Sequence, residues 1–230
     1  MKFLALFHIA LVIVFAALNG IMLYLFMLQL PYGVEPFLIS LANWDKLSPQ
    51  IGYVAGACAF LAVFGAVMVQ RLPEQWKNRL LYARWHFPHP SSDAFLTSRR
   101  QPFEGGDLQA LFPQVKDAGF SRRVQQQVWE NSFRQLGDRA VVLNTRIHWD
   151  MLRDLYLLCL YFLALFALGW LLNLGVPFQI VAIYLFLFGA QALFLMFAAR
   201  RTGYRLVDNV LALELGQEEE KGGVFGRRRK

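Results

Sequence analysis

The chain has 230 residues, of which 57% are hydrophobic and only 17% charged, whereas soluble domains run at about 45–50% and about 25%. Its 23 Lys and Arg against 16 Asp and Glu give a net charge of +7, and it carries only two cysteines. This composition excludes a disordered chain, a disulfide scaffold and an ordinary cytosolic enzyme, and it points to an all-α, polytopic membrane protein.

Three stretches lack Asp, Glu, Lys and Arg: residues 3–34, 47–70 and 155–199. About 20 apolar residues in a helix cross about 30 Å of hydrocarbon. The first stretch therefore holds a span over about 4–30 and the second a span over about 51–69. The third is too long for one helix. Its centre contains Gly175 and Pro177, two residues apart, which mark a turn. Spans are expected at about 155–172 and 177–199, joined as a tight hairpin. Lys2 ahead of an apolar run is one feature of a signal peptide. The run continues to Leu30, past an h-region of about 7–15 residues, so an uncleaved anchor is expected.

Charge sets the expected orientation. Segment 31–50 carries one basic residue, Lys46, and the 173–176 turn none, whereas 71–154 carries thirteen and the tail from Arg200 eight. The positive-inside rule then puts both termini and the long central segment in the cytoplasm. An even number of spans requires the same. The expected organisation is a first transmembrane hairpin over 1–70, a cytoplasmic segment over 71–154, a second hairpin over 155–199 and a cytoplasmic tail over 200–230, in a bacterial inner (plasma) membrane. Trp44 and Trp170 are placed at the outer interface, Trp76 and Trp149 near the inner one.

Within the cytoplasmic segment, 71–119 is rich in Pro, Gly and Ser and reads as loop with short helices at 74–84 and 107–112. Ser121 is placed to cap a helix that carries Val124, Val128, Phe133 and Leu136 on one face. Gly137-Asp138 breaks it, and a second helix over 139–154 runs on into span three. The tail residues 201–213 suggest an amphipathic helix, interfacial or docked. Beyond Gly216, blocks of three Glu and four basic residues flank glycines. Such blocks are usually disordered, and the basic one can touch anionic lipid.

Chemistry-bearing residues are few. Only His8, Asn19, Gln29, Gln179 and Gln191 are polar within the expected spans, which argues against a proton-coupled carrier. Asn19 is a candidate for hydrogen bonding between helices. Gly52 and Gly56 form a GxxxG, continued by Ala55, Ala59, Ala62 and Ala66, a pattern that packs helices within one chain or between chains. Cys58 and Cys159 lie in spans and form no disulfide framework. His86, His89, Asp93 and His148 match no zinc spacing, and Pro88 keeps His86 and His89 off a regular helix. No phosphate loop, GxSxG or HExxH is present. No enzyme activity and no cofactor are expected. The cytoplasmic segment interleaves Trp85, Phe87, Phe95 and Phe103 with Arg84, Arg99 and Arg100, a mixture that can attract an anionic ligand or nucleic acid.

Three motifs carry a resemblance. They are Arg84-Trp-His-Phe-Pro88-His-Pro90 leading to Asp93-Ala94-Phe95, then Arg153-Asp154-Leu155, and Gly203-x-Arg205-Leu-Val-x-x-Val210-Leu211. Their layout resembles small bacterial multi-pass effectors of antiphage defence systems, of the retron-associated type. The resemblance implies a protein that stays quiet until a cytoplasmic signal reorganises its helices and breaches the membrane. On that expectation Arg84, Arg99, Arg100, Arg122 and Arg123 contact the signal or partner, and span two mediates self-association. The alternative is a non-enzymatic scaffold or assembly subunit of a membrane complex, bound to a protein partner.

Overall fold

The structure, a computed structural model, describes residues 2–42, 49–95, 109–172 and 175–226. In chain order the helices are α1 (Lys2–Met27), α2 (Val34–Ala42), α3 (Pro49–Arg71) and α4 (Glu74–Tyr82). A 3-10 turn at Pro90–Asp93 follows, then α5 (Pro113–Asp117), α6 (Arg122–Leu136), α7 (Ala140–Leu172) and α8 (Phe178–Gly226). No strand occurs among the described residues. Four of these helices, α1, α3, α7 and α8, are long and apolar enough to cross a membrane.

The chain divides into two units. An apolar unit comprises 1–73 and 151–197, and a polar unit comprises 74–150 and 198–230. Two helices are shared between them: α7 is continuous across 150–151 and α8 across 197–198.

In the apolar unit, α1 forms because nothing in its run interrupts a helix, and it ends with a Schellman geometry. Gln29 takes a left-handed φ of +58°, and the Leu30 and Gln29 amides bond back to Leu25 O and Phe26 O at 3.0 and 2.9 Å. Pro31 follows and cannot continue the helix. α2, between the first two spans, has no counterpart in the sequence expectations. Its nine residues open on Gly33-Val34-Glu35-Pro36, with Pro36 in the first turn, where a missing N–H costs nothing.

Close backbone approach holds the spans together, because hydrocarbon supplies no hydrophobic drive for pairing. A Cβ on Gly20 of α1 would stand 3.1 Å from the Ala62 Cβ of α3. Gly65 of α3 lies against the Tyr161 ring of α7, whose hydroxyl donates to Leu61 O at 3.1 Å. The Tyr184 hydroxyl of α8 donates to Leu30 O at 3.0 Å. Phe26 meets Phe166 and Tyr184 edge to face at 4.6 and 5.4 Å between ring centres. Such pairs contribute about 0.5–1.5 kcal/mol each beyond their burial. Phe7, Ile13, Phe60, Val63, Phe186 and Phe194 instead point outward, as a lipid solvent permits.

In the polar unit, the expected break at Gly137-Asp138 separates α6 from α7. Ser121 stands at the N-cap of α6, but its side chain makes no capping bond; its carbonyl accepts from the Gln125 amide at 3.0 Å. The tail helix is docked: Leu206, Val207, Val210 and Leu211 are buried. The Trp129 indole N–H reaches Val207 O at 3.4 Å, and Asn209 Nδ2 donates to Thr145 Oγ1 at 2.9 Å. Past Gly216, where charge blocks suggest disorder, the helix runs on to Gly226.

Trp149 is buried in the polar unit, 5.5 Å from the His89 ring. Trp44 lies outside the described residues.

Candidate ligand cleft of the polar unit

The stretch from Tyr82 to Phe95 is folded into a tight hub. Ala83 and Phe87 both take left-handed φ values, +53° and +49°, unusual for residues with a side chain. These turns bring Arg84 back onto Asp93, with which it forms a hydrogen-bonded ion pair. Asp93 also lies 3.5 Å from Arg122 Nε at the start of α6. Burial opposes the charge of Arg84. The Asp93 hydrogen bond and charge, with Tyr204 and Tyr82 nearby, outweigh that and raise its pKa above the ordinary value. Arg84 is thus a fixed cation.

His89 serves the same hub. Its Nδ1 accepts from the Ser91 amide at 3.2 Å and sits 2.6 Å from the Ser91 hydroxyl, while its ring packs on Trp129 at 4.9 Å. Gln125, fully buried, closes the hub: its Oε1 accepts from the Phe95 amide at 3.0 Å and its Nε2 donates to Phe120 O at 2.6 Å. Gln125→Leu should cost about 2 kcal/mol, because it leaves a buried N–H and a C=O unmade. Thermal unfolding of the purified chain, followed by tryptophan fluorescence, checks this.

Beside the hub opens a cleft of about 720 Å³. One wall is α4, with Glu74 and Arg79. Another is α6, with Arg123, Gln127, Glu130 and Arg134, spaced by four, three and four residues and so on one helical face. The rim is the strained loop, with Trp85, His86 and Phe87. The Arg79 guanidinium lies 4.9 Å from the Trp76 ring centre and 5.8 Å from that of Trp85. The two indoles meet edge to face at 6.2 Å, and Trp85 stays 69% exposed.

The sequence-derived contact residues therefore separate. Arg84 and Arg122 are committed to Asp93 in the hub. Arg123 lines the cleft. Arg99 and Arg100 lie outside the described residues. Arg79 and Arg134 escaped the sequence reading; the register of Arg134 with Arg123 on α6 is the signal that marks it.

The helix-packing residues lie in the apolar unit. Asn19 is buried, but its Nδ2 bonds to Phe15 O of its own helix at 2.9 Å rather than to a neighbour. Gly56 meets open space, whereas Gly52 is half-buried. Ala55, Ala59 and Ala62 line an apolar groove of about 600 Å³ with Ala16, Gly20 and Phe37. His8, on α1, stands 3.4 Å from Asp154 of α7. Asp154 and its neighbour Arg153 are both buried. Among the described residues, no group of three or more His, Cys, Asp or Glu converges.

No protein-family model, curated protein or solved structure matches the chain.

Proposed function

We propose that the chain is a signal-gated effector of the bacterial inner membrane, with the polar unit and both termini in the cytoplasm. An anionic ligand or partner, nucleic acid included, bound by the polar unit shifts the spans, and self-association through α3 completes a membrane breach. The observation that carries this reading is the continuity of α7 and α8. α7 supplies 140–150 to the polar unit and 151–172 to the apolar one; α8 supplies 178–197 to the apolar unit and the rest to the polar one. An unbroken helix transmits displacement, because bending it breaks i→i−4 hydrogen bonds. The skew of basic residues supports the orientation: thirteen in 71–154 and eight in the tail, against one in 31–50. The resemblance of the Arg84–Phe95, Arg153–Leu155 and Gly203–Leu211 motifs to defence effectors points the same way.

The test is membrane potential and viability of bacteria on induced expression, followed with a voltage-sensitive dye. The full chain should depolarise the cell. Ile147→Pro, which interrupts α7 inside the polar unit at a cost of about 3 kcal/mol of helix stability, should insert normally and depolarise at least about tenfold less. A well-inserted full chain that leaves the potential intact, copurifies with a stable partner and is not toxic overturns the effector in favour of a scaffold or assembly subunit.

A further inference from the structure

We infer that the cleft between α4, α6 and the 85–89 loop binds a nucleotide. This rests on the proposed signal-receiving role of the polar unit and names the chemical class of the signal.

Three features of the cleft carry it. The volume of about 720 Å³ falls within the range of about 300–1,000 Å³ typical of small-molecule sites. It is large enough for a base, a sugar and phosphates, and too small for an extended polymer.

The second feature is charge. Arg79, Arg123 and Arg134 face Glu74 and Glu130, a surplus of one cation among the Arg and Glu of the lining. Arg123 and Arg134 stand eleven residues apart on one face of α6, about 16 Å along the axis. That spacing brackets a ligand rather than a single ion. The Nε of Arg79 is buried with no hydrogen-bond partner. Guanidinium forks match phosphate oxygens in pairs.

The third feature is a flat ring surface. Trp85 keeps 69% of its surface exposed although Arg79 and Trp76 lie against it. A ring this open can stack a base, and the arginine beside it adds a cation–π contribution. Gln127 and Asn131, also on the lining, offer amide donors and acceptors to a base edge. An inorganic phosphate uses only the charged part of this arrangement, and a phospholipid headgroup does the same. The indole face distinguishes the nucleotide from both.

Equilibrium binding to the full chain in detergent micelles tests this, read by quenching of tryptophan fluorescence and by dialysis. The probes are ATP, GTP, CTP and UTP, inorganic tripolyphosphate, an oligonucleotide of about ten residues, and vesicles containing phosphatidylglycerol. At least one mononucleotide should bind with Kd of about 1 mM or tighter, and at least about tenfold tighter than tripolyphosphate. Trp85→Ala should weaken it about tenfold by removing the stack. The double change Arg123→Gln, Arg134→Gln should weaken it about tenfold or more and lower its dependence on salt. These side chains are exposed, so the variants should keep the parental melting temperature. Three results overturn the inference: no mononucleotide binding, mononucleotide binding unchanged in both variants, or binding matched by tripolyphosphate, the oligonucleotide or the vesicles. Binding as expected in a chain that never depolarises a cell keeps the site and removes the effector role.

Discussion

Gly203→Val should destabilise the polar unit by about 3 kcal/mol, at the upper end of overpacking penalties. Gly203 lies on α8, where the helix passes against Tyr82 of α4 and Trp149 of α7. A Cβ at that position would collide with the Tyr82 hydroxyl and come within 2.7 Å of the Trp149 indole nitrogen. Neither ring has room to retreat. Tyr82 and Trp149 are 7% and 5% exposed, and Tyr82 already packs edge to face on Tyr204 at 5.9 Å. The substitution must therefore displace α8 or force the rings off their rotamers. The measurement is denaturant unfolding in micelles, read at tryptophan, with Gly203→Ala as the milder case. Tyr82→Phe in the Gly203→Ala background should recover part of the loss, because it removes the nearest colliding atom. A strictly additive double change means that the two residues do not meet as described.

The membrane architecture was legible in the sequence because it follows from charge-free length alone. Residues 3–34, 47–70 and 155–199 cannot avoid forming apolar helices, and α1, α3, α7 and α8 occupy them. The passage of α7 through residue 154 was legible too, since no Gly or Pro interrupts 140–168. α2 was not, because nine mostly apolar residues behind Pro31 and Gly33 carry no periodic signal strong enough to separate them from loop. The cleft was half legible. Arginines mixed with aromatics drew attention to the segment that holds Trp85 and Phe87, and Arg123, among the contact candidates, lines the cleft. Composition could not show that Asp93 draws Arg84 and Arg122 into the hub. That pairing depends on left-handed turns at Ala83 and Phe87, and neither residue type announces them.

The polar residues of the apolar unit show the same divide between composition and depth. Counting charges within spans left His8 alone and set Asp154 just outside span three. The structure buries the Asp154 side chain to 6% exposure and sets it 3.4 Å from His8 Nε2, at 24%. Arg153 beside it is 1% exposed. Asp154→Leu should destabilise the chain by about 1–3 kcal/mol, the usual cost of leaving a buried polar partner without its hydrogen bond. The double change His8→Leu, Asp154→Leu should recover at least half of that, since apolar groups replacing both members restore packing without stranding a polar partner. Unfolding in mixed micelles measures both. A double variant no more stable than Asp154→Leu alone would mean that the carboxylate is held chiefly by other groups and that His8 is a bystander. Recovery would make this pair a second tie between α1 and α7, besides the Phe26–Phe166 contact.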